Sequence, residues 1–183
     1  MKQKRTKKPR PVVLAEGDFL RLVREGKWEY IERNNCRGIV IILAMTDDEK
    51  IILVEQYRQP VHKMVIEFPA GLICDDPKHK NESIVTAAKR ELLEETGYKA
   101  QKIVRLLTGP VSSGSSADLV TMMRAYGLTK MSAGGGDHTE AIRVHEVPLR
   151  QVEQWLKRMS RRGYLIEPKV YTGLFFLTKP ARH

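Results

Sequence analysis

The sequence predicts one mixed domain, of α/β or α+β class, on three observations. β-branched, strand-like runs outnumber helical patterns in the first half, and helical patterns close the chain. The length, 183 residues with 42% hydrophobic, suits a single core. No internal repeat or long linker interrupts it.

In chain order, residues 27–33 alternate with Trp28 and Tyr30 on one side, as a strand would. Residues 38–45 and 50–57 are β-branched runs joined by Thr46-Asp47-Asp48-Glu49, a hairpin by composition and spacing. A short strand at 65–68 ends where Pro69 removes a ladder donor. Residues 83–96 have helical spacing through Ile84, Ala87, Ala88, Leu92 and Glu95, with Gly97 suited to the left-handed residue that stops a helix. Strands are expected at 103–107, 119–126 and 141–147, with a polar loop containing Gly134-Gly135-Gly136 before the last. Pro148 opens a helix to about residue 159, with Leu149, Val152, Leu156 and Met159 on one face. A final helix at 168–178 aligns Val170, Leu174 and Leu177.

Composition removes several classes. The apolar fraction is too high for a disordered chain, and 13 Gly with 9 Pro are too few for a fibrous one. The longest apolar runs, such as 39–45, fall far short of the ~20 residues of a membrane span. Residues 11–20 are broken by Glu16, Gly17 and Asp18, so no secretory core is expected there. Cys36 and Cys74 cannot build a disulfide scaffold. Together these lead to the expectation of a cytoplasmic protein with no membrane partner. The net charge is +10, but the first ten residues carry six Lys or Arg and no acid. The rest of the chain is ordinary in charge, so the tail reads as a solvated terminus, with a nucleic-acid arm the sharper alternative.

The chemical signal is Arg90-Glu91-Leu92-Leu93-Glu94-Glu95-Thr96-Gly97-Tyr98. On a helix, Glu91, Glu94 and Glu95 project from neighbouring positions of one face. Like charges at that spacing oppose the helix, and near its C-terminal end the macrodipole disfavours anions further. A divalent cation resolves the conflict, and hard oxygen donors select Mg²⁺ or Mn²⁺.

With seven residues between Glu82 and Arg90, this segment resembles the Nudix box, G-x5-E-x7-R-E-U-x-E-E-x-G-U, where U is bulky and aliphatic. Leu92 and Tyr98 take the two U positions, the second aromatic instead of aliphatic. Asp76 stands where the box Gly is expected; Gly71, in Glu67-Phe68-Pro69-Ala70-Gly71-Leu72-Ile73, is the better candidate, with 74–81 read as a loop bearing a five-residue insertion. The E-F-P-A-G-L-I run and Glu55-Gln56-Tyr57-Arg58 look like the ADP-ribose pyrophosphatase branch, which hydrolyses nucleoside diphosphate sugars.

The resemblance implies an α/β/α sandwich around a mixed sheet. It divides the chain into a basic tail (1–11), N-terminal strands that could serve dimerisation (12–37) and the hydrolase domain (38–180). It implies that Glu91 and Glu95 hold Mg²⁺, Glu94 assists, the Ala70 carbonyl completes the shell, and Glu82 is a further ligand or supports one. Arg90 would orient Glu91. Glu140, with Asp137 and His138 as alternates, would be the general base on a loop made mobile by the three glycines. Arg58 would clamp the diphosphate, Trp28 would stack the base, Glu67 would contact the nucleotide or support the metal shell, and Gly114 belongs to the loop replacing the branch's Ser-Pro-Gly-Gly substrate segment. The implied function is Mg²⁺-dependent cleavage of ADP-ribose- or GDP-mannose-type substrates to a nucleoside monophosphate and a sugar phosphate by a homodimer. Two alternatives share the fold: an RNA 5′-end pyrophosphohydrolase using the basic tail, and a non-catalytic nucleotide-binding regulator.

Overall fold

The structure, a computed structural model, describes residues 9–73, 79, 81–136 and 141–179. Its first three strands, β1 (Val12–Glu16), β2 (Leu20–Glu25) and β3 (Trp28–Arg33), form an antiparallel sheet of their own. This sheet joins the rest of the chain through β3: the Ile31 N–H donates to Ser115 O at 3.0 Å, Ala117 N–H donates to Ile31 O at 3.0 Å, and Arg33 pairs with Asp118 at 3.3 Å. It leaves large apolar side chains in water, with Phe19 78% and Trp28 64% exposed.

The main body is built on β4 (Ile39–Ala44) and β5 (Lys50–Arg58). Alternation in β4 sends Val40, Ile42 and Ala44 into one core and Ile41 and Leu43 into another. In β5, Ile52 enters the first core, and Ile51 and Leu53 the second. Both faces are covered, so these strands read as continuous apolar runs and not as in–out alternation. The first core is closed by Ala87, Ala88 and Leu92 of α1 (Ile84–Thr96). The second is closed by Val152, Leu156 and Met159 of α2 (Val152–Arg161) and by Val170 and Leu177 of α3 (Pro168–Leu177). This is the expected α/β/α sandwich.

The sheet between the helices is mixed and divided into two. β6 (Lys63–Glu67), β7 (Ala70–Leu72), β8 (Tyr98–Pro110), β9 (Leu119–Lys130), β10 (Arg143–Pro148) and β11 (Leu165–Ile166) complete it, in the orders β7-β4-β9-β8 and β10-β5-β6-β11. The β4–β9 and β6–β11 pairs are parallel and the others antiparallel. The expected hairpin of 38–45 with 50–57 is therefore corrected. A tight turn is present, with Thr46 N–H donating to Lys50 O at 2.9 Å, but beyond a single Met45–Ile51 bridge the strands part into separate sheets. Each strand has two partners of its own, which a turn signature cannot reveal. Close approach of α3 to the sheet depends on Gly173, where an added Cβ would lie 2.2 Å from the buried Phe68 ring. No helix among the described residues is long and apolar enough to cross a membrane.

Candidate functional site

Helix α1 is delimited by local chemistry. Ser83 Oγ accepts the Thr86 N–H at 3.1 Å at its start, and Gly97 takes the left-handed conformation (φ 73°) at its end, its N–H donating to Leu93 O at 2.9 Å. Between these caps the helix presents its carboxylates beside β7.

Arg90 organises that face. Its guanidinium donates to both oxygens of Glu82 at 2.8 and 3.3 Å, to Glu91 at 2.8 Å and to Glu94 at 3.0 Å. These pairings, the Glu82 hydrogen bond foremost, hold Arg90 above its ordinary pKa. Glu95 is buried and accepts the Ala70 N–H at 3.2 Å. Gly71 lies so close to Glu91 that an added Cβ would stand 1.9 Å from its Cδ. A residue with a side chain would displace the Glu91 carboxylate, so glycine leaves that carboxylate in place, the role of the motif's glycine; Asp76 lies outside the described residues.

Arg90, Glu91, Glu94, Ala70 and Gly71 line one wall of a cavity of about 670 Å³, and Arg58 and Glu67 line it too, joined by an Arg58 Nε–Glu67 Oε2 bond of 2.7 Å. Glu82 and Glu95 sit behind that wall, held by Arg90 and Ala70. Trp28 and Gly114 are not brought to the cavity within one chain. Glu140, Asp137 and His138 lie outside the described residues. Sequence reasoning missed Arg33, His79, Asp118, Glu167 and Lys169, which also line the cavity; none belongs to a motif, and topology alone collects them.

The glycines before residue 137 do something other than expected. Gly135 N–H donates to Glu95 O at 2.9 Å and Gly136 N–H to Glu94 O at 3.1 Å. Gly134, at φ 71°, has no room for a Cβ, which would meet the Glu95 carbonyl oxygen at 2.6 Å. Gly135 and Gly136 thereby clamp the end of α1. They satisfy carbonyls that the last turn of a helix leaves without partners.

Among the described residues no three His, Cys, Asp or Glu side chains are gathered closely enough to hold an ion as they stand. Arg90 instead ties three of the carboxylates together. The donor set of Glu91, Glu94, Glu95 and nearby backbone is nonetheless all oxygen, the chemistry a hard divalent cation takes.

The sandwich, with an acidic helix set against a glycine-bearing strand, places the chain in an α/β class of domains. The chain belongs to the NUDIX family: the NUDIX domain profile matches residues 36–164, and divalent metal use is typical of that family. The chain is 36% identical over 121 residues to the methanol dehydrogenase activator of Bacillus methanolicus, covering 66% of this chain and 63% of that protein. It is 36% identical over 145 residues to the ADP-ribose pyrophosphatase of Bacillus subtilis (strain 168), covering 79% and 74%. It is 30% identical over 141 residues to the GDP-mannose pyrophosphatase of Yersinia pestis (strain Pestoides F), covering 73% and 65%. The match thus spans a little under two thirds of the first and third relatives. A crystal structure described as an ADP compounds hydrolase superposes with a TM-score of 0.68 at 22% identity, over 96% of this chain and 94% of that one, and shares the fold.

Proposed function

We propose that this protein hydrolyses nucleoside diphosphate sugars, of the ADP-ribose or GDP-mannose type, to a nucleoside monophosphate and a sugar phosphate with Mg²⁺. The observation that carries this is the packing of Glu91 on Gly71 at the wall of a cavity that Arg58 also lines. The pyrophosphatase relatives support it.

Glu91 and Glu95 hold the metal in this reading, with Glu94 and the Ala70 carbonyl assisting and Glu82 supporting through Arg90. A bound divalent cation neutralises phosphate oxygens and lowers the pKa of water. Arg90 fixes the rotamers of Glu91 and Glu94 by hydrogen bonds to both. Arg58 offers its guanidinium to phosphate oxygens, and Glu67 holds that guanidinium in place. Glu140 takes the proton of the attacking water. Gly114 belongs to the substrate loop.

The protein acts as a homodimer in the cytoplasm. One face of the N-terminal sheet, with Val12, Leu20, Leu22 and Ile31 exposed, supports a second copy as its cover, and Trp28, exposed on the other face, then stacks a base in the partner's cavity. Light scattering on a sizing column should give twice the chain mass, and a monomer at micromolar concentration would refute the dimer.

The activity is tested on a Mg²⁺ panel of ADP-ribose, GDP-mannose, UDP-glucose, a nucleoside triphosphate and 5′-triphosphate RNA. Monophosphate plus sugar phosphate, abolished by EDTA and by Glu95→Gln and strongly reduced by Glu140→Gln, is the expected outcome. Turnover of RNA alone, or a silent panel with nucleotide still bound, would transfer the function to one of the two alternatives.

A further inference from the structure

We propose that Lys169 is a second cationic anchor for the diphosphate, acting beside Arg58, an inference that rests on the substrate class given above. Lys169 enters the cavity from the first turn of α3, a segment that the motif-bearing part of the chain does not include. Its side chain is largely covered, 28% exposed, and bonds the carboxylate of Glu167. Lysine side chains are mostly exposed in folded proteins, so the cover over this one calls for a reason. A pair with a carboxylate two residues away does not supply one, since local ion pairs of this kind contribute little.

The surroundings say what the ammonium lacks. Burial, the largest influence, pulls its pKa below the ordinary value, and Arg58 pushes the same way; Glu67 opposes them. Glu67 is already bonded to Arg58 at 2.7 Å. Two cations thus lie within electrostatic reach of each other in one cleft, and the two carboxylates beside them, Glu67 and Glu167, are each engaged by one. An anion with several oxygens entering between Arg58 and Lys169 would be shared by both and would restore the stabilisation that the ammonium lost on leaving water. A diphosphate has that form. Arg58 presents a planar fork and Lys169 a point charge, so the two can take different oxygens of one group.

The test uses the full chain and inorganic pyrophosphate with Mg²⁺ as the probe, read by calorimetry on the unaltered protein, Lys169→Met and Lys169→Arg. Lys169→Met should weaken pyrophosphate about tenfold or more, as expected when a charged hydrogen bond is removed, and should raise KM for a diphosphate sugar more than it lowers kcat. Lys169→Arg should restore most of the affinity and move the alkaline loss of binding to higher pH, because guanidinium keeps its proton there. A role confined to folding would lower the melting temperature and leave that alkaline limb in place. Unchanged pyrophosphate affinity in Lys169→Met, or an unmoved alkaline limb in Lys169→Arg, overturns the anchor. If the unaltered protein cleaves no diphosphate sugar but loses pyrophosphate binding in Lys169→Met, the substrate class falls and the anchor stands.

Discussion

Gly71→Ala separates the site from the fold that carries it. The added Cβ would stand 1.9 Å from Glu91 Cδ and 2.1 Å from its Oε1. Carbon atoms in contact sit about 3.5–4.0 Å apart, so the Glu91 carboxylate must retreat by roughly 1.5 Å. It can do so by rotating its own side chain, because the obstructing atoms are the end of a flexible chain and not backbone. The fold should therefore lose little, about 1 kcal/mol or less, which in a domain of this size is a fall in Tm of about 2–4 °C. Function should lose much more. The retreat breaks the 2.8 Å bond from Arg90 to Glu91 and displaces a proposed metal ligand. A displacement of about 1 Å at a catalytic constellation lowers turnover on the order of 100-fold. The assay is kcat/KM on a diphosphate sugar across a Mg²⁺ titration, with a thermal melt alongside. The expectation is a loss of about 100-fold in kcat/KM and a higher half-saturating Mg²⁺ concentration with Tm nearly intact. Turnover within about threefold of the unaltered protein, at an unchanged Mg²⁺ requirement, would refute the placement of Glu91 at the metal.

Gly134→Ala should behave in the opposite sense. Its Cβ would meet backbone, Thr96 C at 2.4 Å and Glu95 O at 2.6 Å, at a φ of 71°, so strain of about 1–3 kcal/mol falls on the fold itself. Melting temperature and turnover should drop together; an unchanged melt would mean that the clamp on α1 is dispensable. Alkaline pH tests Tyr98, whose hydroxyl donates to Glu146 at 2.8 Å and whose pKa, chiefly through burial, is pushed up to about 12. A tyrosine raised above its ordinary value of about 10 favours the folded state below that pH, and the contribution fades as pH climbs toward the folded value. Urea unfolding followed from pH 8 to 12 should show stability falling above pH 10, and Tyr98→Phe should remove that component. A variant whose profile still falls equally would assign the loss to other groups.

What could be read in the sequence was what is local. The apolar spacing over 83–96 and Gly97 placed α1 within a residue at each end, because periodicity and a stop glycine act within a few residues. The C-terminal helices were legible for the same reason. Strand pairing was not, since β4 finds β9 and β7 far along the chain. The lengths of β8 and β9 were also underestimated. An irregularity between Arg105 and Leu107 shifts the register and breaks the alternation by which a strand is recognised. The site divides in the same way. The carboxylates share one helix and one motif, whereas Arg33, Asp118, Glu167 and Lys169 come from separate segments that only the tertiary structure brings to the cavity. The bonding of these glycines was not legible because composition conveys conformational freedom and not what the freed backbone bonds to. Here positive φ angles aim two N–H groups at the end of α1.

That clamp bears on how an acidic cluster survives in an unfavourable place. Glu91, Glu94 and Glu95 occupy the C-terminal half of α1, where exposed carbonyls already make the helix end negative. The fold answers with donors: Arg90 to Glu82, Glu91 and Glu94, the Ala70 N–H to the Glu95 carboxylate, and the Gly135 and Gly136 N–H groups to the Glu95 and Glu94 carbonyls. Arg90 is the charged member of this donor set, and the others are backbone N–H groups. Hydrogen bonds therefore fix the geometry of the Glu91 and Glu94 carboxylates where they line the cavity. A diphosphate entering alone would be attracted by Arg58 and repelled by the Glu91 and Glu94 carboxylates that line the same cavity. If Glu91 and Glu95 hold a divalent cation as proposed, calorimetry should find pyrophosphate bound far more weakly in EDTA than with Mg²⁺, and equal affinity in the two would refute that placement.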